Sequence, residues 1–82
     1  MLEEIKATVK EYVLDEFLPG ESPAVLTDST PLITGGIVDS MGMMKLVTFL
    51  EERFALALGA AEIDVDKLNT ISGIASVVRS KL

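Results

Sequence analysis

The 82-residue sequence contains no cysteine, no histidine and no tryptophan. Without cysteine the chain cannot form a disulfide, and without cysteine and histidine it cannot build the zinc sites that depend on those residues. Nucleophilic catalysis by a Ser–His or Cys–His pair is also excluded, because the chain has neither an imidazole base nor a thiol of its own. The chemistry of this chain therefore rests on carboxylates, hydroxyls, amines and apolar surfaces.

Basic residues are scarce: seven Lys and Arg stand against thirteen Asp and Glu, which gives a formal net charge of −6. An acidic surface repels nucleic acid and anionic membranes, and it favours partners that present basic patches. The sequence starts without the basic and apolar segments of a signal peptide, and no uncharged stretch, the small and apolar run at residues 55–61 included, is long enough to span a bilayer. We therefore expect one cytoplasmic domain over residues 1–82, with a thin core and no contact with nucleic acid or membrane.

Apolar residues recur at steps of three and four along most of the chain, which is the pattern of amphipathic helices. Residues 19–38 have no such period and contain all three prolines, so they are expected to form a long loop with one short helical turn at Asp28–Pro31. The helices are predicted at residues 2–18, from Ser40 to about Ala57, at Asp64–Leu68, and from the N-cap Thr70 to the C-terminus. The predicted fold is all-α, a small antiparallel four-helix bundle of three main helices and one short helix.

The second predicted helix carries apolar residues on two faces. On a helical wheel, one stripe contains Met43, Leu46, Val47, Leu50 and Phe54. Met41, Met44 and Thr48 lie roughly 100–160° away, and they share the opposite side with Lys45 and Glu52. Two interpretations remain open: the methionines fill gaps beneath the long loop, as flexible packing residues do, or they form an exposed strip that binds partners. Asp39, Glu51 and Glu52 would give such a strip an acidic border that steers partners.

Ser40 follows Asp39 at the point where the long loop meets the second helix. Asp or Ser before a helix is usually a cap. The position also suits a phosphate ester on the Ser40 hydroxyl, because free N–H groups and the positive end of the helix dipole stabilise an anion there. Asp39 is too weak a base at neutral pH to activate the serine, so we expect no catalytic residues and no enzyme activity.

The block Gly36–Phe54 resembles the Asp-Ser-Leu segment and second helix of acyl and peptidyl carrier proteins. The resemblance covers essentially the whole chain and continues through Leu56, Leu58, Ile63, Leu68 and Thr70-Ile71. It implies a four-helix bundle that carries 4′-phosphopantetheine on Ser40, installed from coenzyme A by a phosphopantetheinyl transferase. The thiol of that arm holds acyl or aminoacyl groups as thioesters, which agrees with a chain that has no thiol of its own.

The resemblance also assigns a partner-binding face. In the family, the residue after the serine and a second apolar residue three positions later touch partner enzymes, and these match Met41 and Met44. Asp39 matches the acidic neighbour that helps the modifying enzyme to engage. The rest of the expected face consists of Lys45, Thr48, Glu51 and Glu52. Both glutamates are expected near the solvent side, so that reversing their charges would slow transfer without unfolding the domain.

Three positions depart from the usual pattern of the family. Met41 replaces the usual leucine, which is a volume-conserving change. Lys45 stands where fatty-acid carriers usually have an acid, and Gly42 follows the motif as in several discrete carriers of specialised pathways, so both favour amino acid or small-acid cargo. A glycine in the first turn costs up to about 1 kcal/mol relative to alanine, so Gly42 is also expected to loosen the helix start.

The sequence is thus identified as a discrete carrier protein, a monomer that acts in trans and binds no metal. An acyl- or aminoacyl-activating ligase would load it, and downstream transfer enzymes would take the cargo. The competing interpretation is a helical adaptor that is never modified. In that case Ser40 is only a cap, and Met41 and Met44 form a docking patch.

Overall fold

The computed structural model describes residues Leu2–Leu82, in which four α-helices form and no β-strand occurs. The helices are α1 (Leu2–Phe17), α2 (Ser40–Phe54), α3 (Val65–Leu68) and α4 (Ile71–Lys81). The all-α, four-helix prediction is confirmed. Of the predicted domain 1–82, Met1 lies outside the described residues. Within those residues, no helix has both the length and the apolar content needed to cross a membrane.

The core is built from the helix stripes that the sequence predicts and from the long loop. Helix α1 contributes Ile5, Val9 and Val13, spaced by four residues, and it packs mainly against α4. The loop contributes three fully buried side chains, Leu26, Leu32 and Val38. Val25 in the same loop and Leu82 at the end of the chain are exposed. The loop is therefore part of the packed structure, since its buried residues belong to the same core as those of the helices.

Helix α2 is shorter than predicted because the chain reverses at Ala55. That residue adopts the left-handed conformation (φ 52°), and its N–H donates to the Glu51 carbonyl oxygen. The predicted cap of α4 is confirmed: Thr70 Oγ1 accepts the N–H of Gly73 at 2.9 Å.

The short helical turn expected at Asp28–Pro31 forms instead at Pro23–Val25. There Ser22 caps the turn, and the fixed φ of Pro23 suits the first position. Asp28 has a different role, since it connects the loop to both α1 and α4. Its carboxylate lies 3.1 Å from Lys6 Nζ on α1, and its carbonyl oxygen accepts the N–H of Ser72 on α4.

Candidate attachment site and partner-binding face

Ser40 is the first residue of α2, and it is exposed at the corner between the loop and the helix. The cap of this helix is Asp39, whose Oδ1 accepts the N–H of Gly42 at 2.7 Å. The carbonyl oxygen of Asp39 accepts the N–H of Met43 at 2.8 Å. Among residues 2–82, the Ser40 hydroxyl has no hydrogen-bond partner. Ser40 is therefore not the cap of α2, because the neighbouring Asp39 makes the capping hydrogen bond.

The same corner has the features that suit an anionic group on Ser40. The N–H groups of Ser40 and Met41 make no hydrogen bond within the described part of the chain, and they lie at the positive end of a helix of 15 residues. Free N–H groups and the helix dipole together stabilise a phosphate at such a position. The residues present thus fit a phosphodiester on Ser40 Oγ.

Both methionines of interest point to solvent. Met41 is 76% exposed and Met44 is 52% exposed. Lys45, Thr48 and Glu52 are exposed on the same side of α2, and Thr48 Oγ1 donates to the Met44 carbonyl oxygen at 3.0 Å. The interpretation in which these methionines fill gaps under the loop is wrong, because both side chains are largely exposed. Contact of this face with partners stays a prediction.

Lys45 is the basic residue of this face, and it bridges α1 and α2. Its Nζ lies 3.7 Å from Glu16 Oε2, with both side chains partly exposed. A pair with that geometry contributes little to stability. Its main effect is on the charge pattern, since Glu16 offsets Lys45 and leaves Asp39 and Glu52 as the acidic border of the exposed methionines.

Glu51 differs from the sequence-based expectation. It is half-buried, and its Oε2 accepts the N–H of Leu58 at 2.9 Å. The reversal of the chain at Ala55 brings that N–H back to the helix end, which the pattern of a single helix does not reveal. Glu52 lies about 100° further round the helix and is exposed. The two neighbouring glutamates therefore have different roles, one structural and one at the surface.

Three aromatic residues form a cluster between α1 and α2 that the sequence analysis did not identify. The rings of Tyr12 and Phe49 stack with centroids 4.0 Å apart, and Phe17 meets Tyr12 edge-on at 6.0 Å. Burial, together with the nearby Glu16 carboxylate, raises the pKa of the Tyr12 hydroxyl. No sequence signal marks this cluster, because the contacts depend on how the two helices cross.

Gly42 lies against α1. It is buried, and a Cβ at this position would lie 2.7 Å from Cε1 of Phe17. The glycine thus permits a close approach of α1 to the turn that carries Ser40.

Residues 2–82 contain no cluster of three or more acidic, Cys or His side chains placed to hold a metal ion.

Comparison with known proteins gives relatives over nearly the whole chain. The sequence is 34% identical over 71 residues to the D-alanyl carrier protein of Streptococcus sanguinis, an alignment that covers 87% of this chain and 86% of that protein. It is 28% identical over 75 residues to the probable acyl carrier protein PigG of a Serratia species, covering 92% of this chain and 85% of PigG. No family model matches the sequence.

The fold has a solved counterpart as well. The structure of the peptidyl carrier protein KstB-PCP in its apo form matches with a TM-score of 0.73 and 25% sequence identity, covering 98% of this chain and 88% of that one. The similarity extends over the whole bundle and includes the loop before α2. The chain belongs to the family of carrier proteins that includes D-alanyl, acyl and peptidyl carriers.

Proposed function

We propose that this chain holds an acyl or aminoacyl group as a thioester on a 4′-phosphopantetheine arm attached to Ser40. The observation that carries this proposal is the exposed Ser40 hydroxyl, which is left without a partner in residues 2–82 because Asp39 caps the helix. In the attachment step a bond forms between Ser40 Oγ and the phosphorus of the pantetheine phosphate in coenzyme A. The pyrophosphate bond breaks, the nucleotide half leaves, and the hydroxyl proton passes to the transferase.

The arm would supply the thiol that the sequence lacks, and the chain's own residues would hold and present it. The free N–H groups of Ser40 and Met41 suit the phosphodiester, while Asp39 fixes the turn on which the serine sits. The chain itself needs no catalytic group under this proposal, since chemistry belongs to the enzymes that it visits. Ser40 is then an attachment point, and the bundle serves as a rigid support.

The exposed face of α2 is proposed to receive those enzymes. Met41 and Met44 offer flexible apolar side chains that adapt to several partners. Asp39 and Glu52 give the border an acidic character, which favours a phosphopantetheinyl transferase and a ligase that present basic groups. Lys45 and Thr48 complete the face. We expect Glu51 to contribute through the shape of the helix end, since its carboxylate is engaged with Leu58.

The proposed cargo is an aminoacyl group of small size. The relatives named as D-alanyl carrier proteins support this choice, while the relative named as an acyl carrier keeps small acyl groups as the second candidate. Lys45 in the partner face points the same way, because it stands where fatty-acid carriers usually have an acid. Loading would come from an adenylating ligase.

Intact-mass spectrometry tests the attachment. The protein is incubated with coenzyme A, Mg²⁺ and a promiscuous phosphopantetheinyl transferase, and we expect the gain of one phosphopantetheine. Ser40→Ala abolishes the gain. Ser29→Ala, which removes another exposed hydroxyl from the preceding loop, leaves it unchanged.

Absence of modification, under conditions that modify a known carrier, would support the adaptor interpretation instead. Cargo is tested next by incubating the modified protein with adenylating ligases, ATP and a panel of amino acids and fatty acids. Thioester formation with a small amino acid supports the aminoacyl proposal. Loading with long-chain fatty acids alone would contradict it.

A further inference from the structure

The side chain of Asn69, at the junction of α3 and α4, holds the loop that leads to Ser40. Its Oδ1 accepts two backbone N–H groups, from Ile33 at 2.8 Å and from Thr34 at 3.0 Å. Its Nδ2 donates to Thr34 Oγ1 at 3.1 Å. If the amide were flipped, its NH₂ group would face the N–H groups of Ile33 and Thr34, and donors would meet donors. These bonds therefore fix the orientation of the Asn69 side chain.

The backbone of Asn69 adds a fourth connection, and from there the contacts continue to the serine. The Asn69 carbonyl oxygen accepts the N–H of Leu32 at 2.6 Å. The carbonyl oxygen of Leu32 accepts the N–H groups of Ile37 and Val38, at 2.9 and 2.8 Å. Val38 directly precedes the cap residue of α2. An uninterrupted series of hydrogen bonds therefore runs from the α3–α4 junction to the residue before Asp39.

The loop between these bonds has little freedom to absorb a displacement. Gly36 lies in the left-handed region (φ +84°), and a Cβ on Gly35 would clash with the carbonyl oxygen of Pro31. Leu32 and Val38 are fully buried on either side of the turn. A tight turn with buried ends moves as a unit, so its position depends on what anchors it.

We propose that Asn69 is a positioning residue for the modification of Ser40: it orders the loop so that the serine corner is presented in one geometry. This inference rests on the proposed function only in its second part, since the ordering of the loop is a property of the unmodified chain. When the Asn69 side chain is removed, a smaller fraction of the protein has the loop ordered. A transferase that binds only the ordered form then shows a higher apparent KM.

The test compares Asn69→Ala with wild type in two measurements. Amide hydrogen exchange at Ile37 and Val38 should become faster relative to core amides. The KM of the carrier as substrate for coenzyme A-dependent modification should rise about threefold to tenfold with kcat unchanged, which corresponds to losing the net stabilisation of about one hydrogen bond from the ordered loop.

Two further variants separate positioning from general stability. Asn69→Asp keeps an acceptor for both N–H groups, and Thr34 can donate its hydroxyl to the second oxygen, so this variant should restore the wild-type KM. Val78→Ala removes buried volume from the far part of α4 and should lower the melting temperature without raising the KM or changing the relative exchange at Ile37 and Val38.

The inference is overturned if Asn69→Ala matches Val78→Ala in both measurements, or if exchange rises while the KM does not. Failure of the proposed function has a different signature, since wild-type protein would then gain no mass at all. In that event the exchange comparison, which needs no coenzyme A, still decides whether Asn69 orders the corner.

Discussion

The ring of Phe17, the last residue of α1, occupies the space next to Gly42 in the first turn of α2. A Cβ at position 42 would come within 2.7 Å of Phe17 Cε1 and 3.2 Å of Asp39 Oδ1. The glycine therefore allows the aromatic ring to pack closely against the turn that presents Ser40.

This contact predicts that Gly42→Ala destabilises the protein. Helix propensity alone would favour alanine by about 1 kcal/mol, whereas forcing a methyl group into an occupied space costs about 1–3 kcal/mol. We expect a net decrease in the free energy of unfolding, measured by urea denaturation. In a Phe17→Leu background the same change should be neutral or stabilising, because the shorter side chain makes room. A stabilising effect in both backgrounds would show that the ring yields without cost.

Glu51 and Glu52 are expected to respond differently to substitution. Glu51→Ala leaves the half-buried N–H of Leu58 without its partner, so we expect a loss of about 1–3 kcal/mol in the free energy of unfolding. Glu52→Ala should change it by less than about 0.5 kcal/mol, as for other exposed positions. Glu52→Ala should instead be modified by the transferase more slowly than wild type at low salt, and the two rates should become equal at high salt. Equal melting curves for the two variants would contradict this assignment.

Met44→Glu tests the exposed apolar face separately from the core. Because Met44 is about half exposed, the melting temperature by circular dichroism should remain within about 3 °C of wild type. Loading by a ligase should be impaired. Leu46→Ala, two residues away and fully buried, should lower the free energy of unfolding by about 2–5 kcal/mol. A large loss of stability in Met44→Glu would mean that the methionine packs inside the bundle.

Glu62 is expected to make stability depend on pH in the acid range. Its Oε1 accepts the N–H of Gly59 at 2.8 Å and lies 3.0 Å from Lys81 Nζ. The Gly59 hydrogen bond, followed by Lys81, lowers the pKa of the Glu62 carboxyl below its ordinary value of 4.5. A carboxyl whose pKa is lower in the folded state stabilises the protein above its ordinary pKa, and this contribution is lost as the pH falls through the lowered value.

The measurement is a series of thermal melts from neutral to acid pH. Wild type should be more stable than Glu62→Gln at pH 7, and the difference should shrink as the pH falls below 4.5. Glu21→Gln, on the exposed loop, controls for the loss of one negative charge. A difference between wild type and Glu62→Gln that stays constant with pH would show that the ionised carboxylate is not responsible.

Periodicity and caps predict most of this fold because the helices are specified locally. The stripe of Ile5, Val9 and Val13 and the Thr70 cap follow from spacing and from the chemistry of one side chain. The sequence places the end of α2 too far along the chain, because an alanine at position 55 does not mark a left-handed helix end as a glycine would. Its left-handed conformation is stabilised by the bond between Glu51 and Leu58, which forms only after the chain has turned.

In the candidate site, too, local features are predicted from the sequence, whereas contacts between distant residues are not. The helical wheel places Met41 and Met44 away from the core stripe of α2, whereas their exposure, which the wheel leaves open, is seen only in the structure. The contributions of Phe17 and Asn69 could not be predicted, because each acts on a residue far away in the sequence. Asparagine at a helix end has many local uses, and nothing in the sequence indicates that this one binds the loop before Ser40.

The separate roles of Asp39, which caps α2, and Ser40, whose hydroxyl is free, determine whether modification changes the fold. Since Asp39 caps the helix and the Ser40 hydroxyl makes no hydrogen bond within residues 2–82, esterifying or freeing that hydroxyl breaks no internal bond. Under the proposed function, the unmodified form, the form with the arm and the form with cargo can therefore share one fold. An enzyme that distinguishes among them would then have to bind the tethered group itself, because the helices present the same surface in all three.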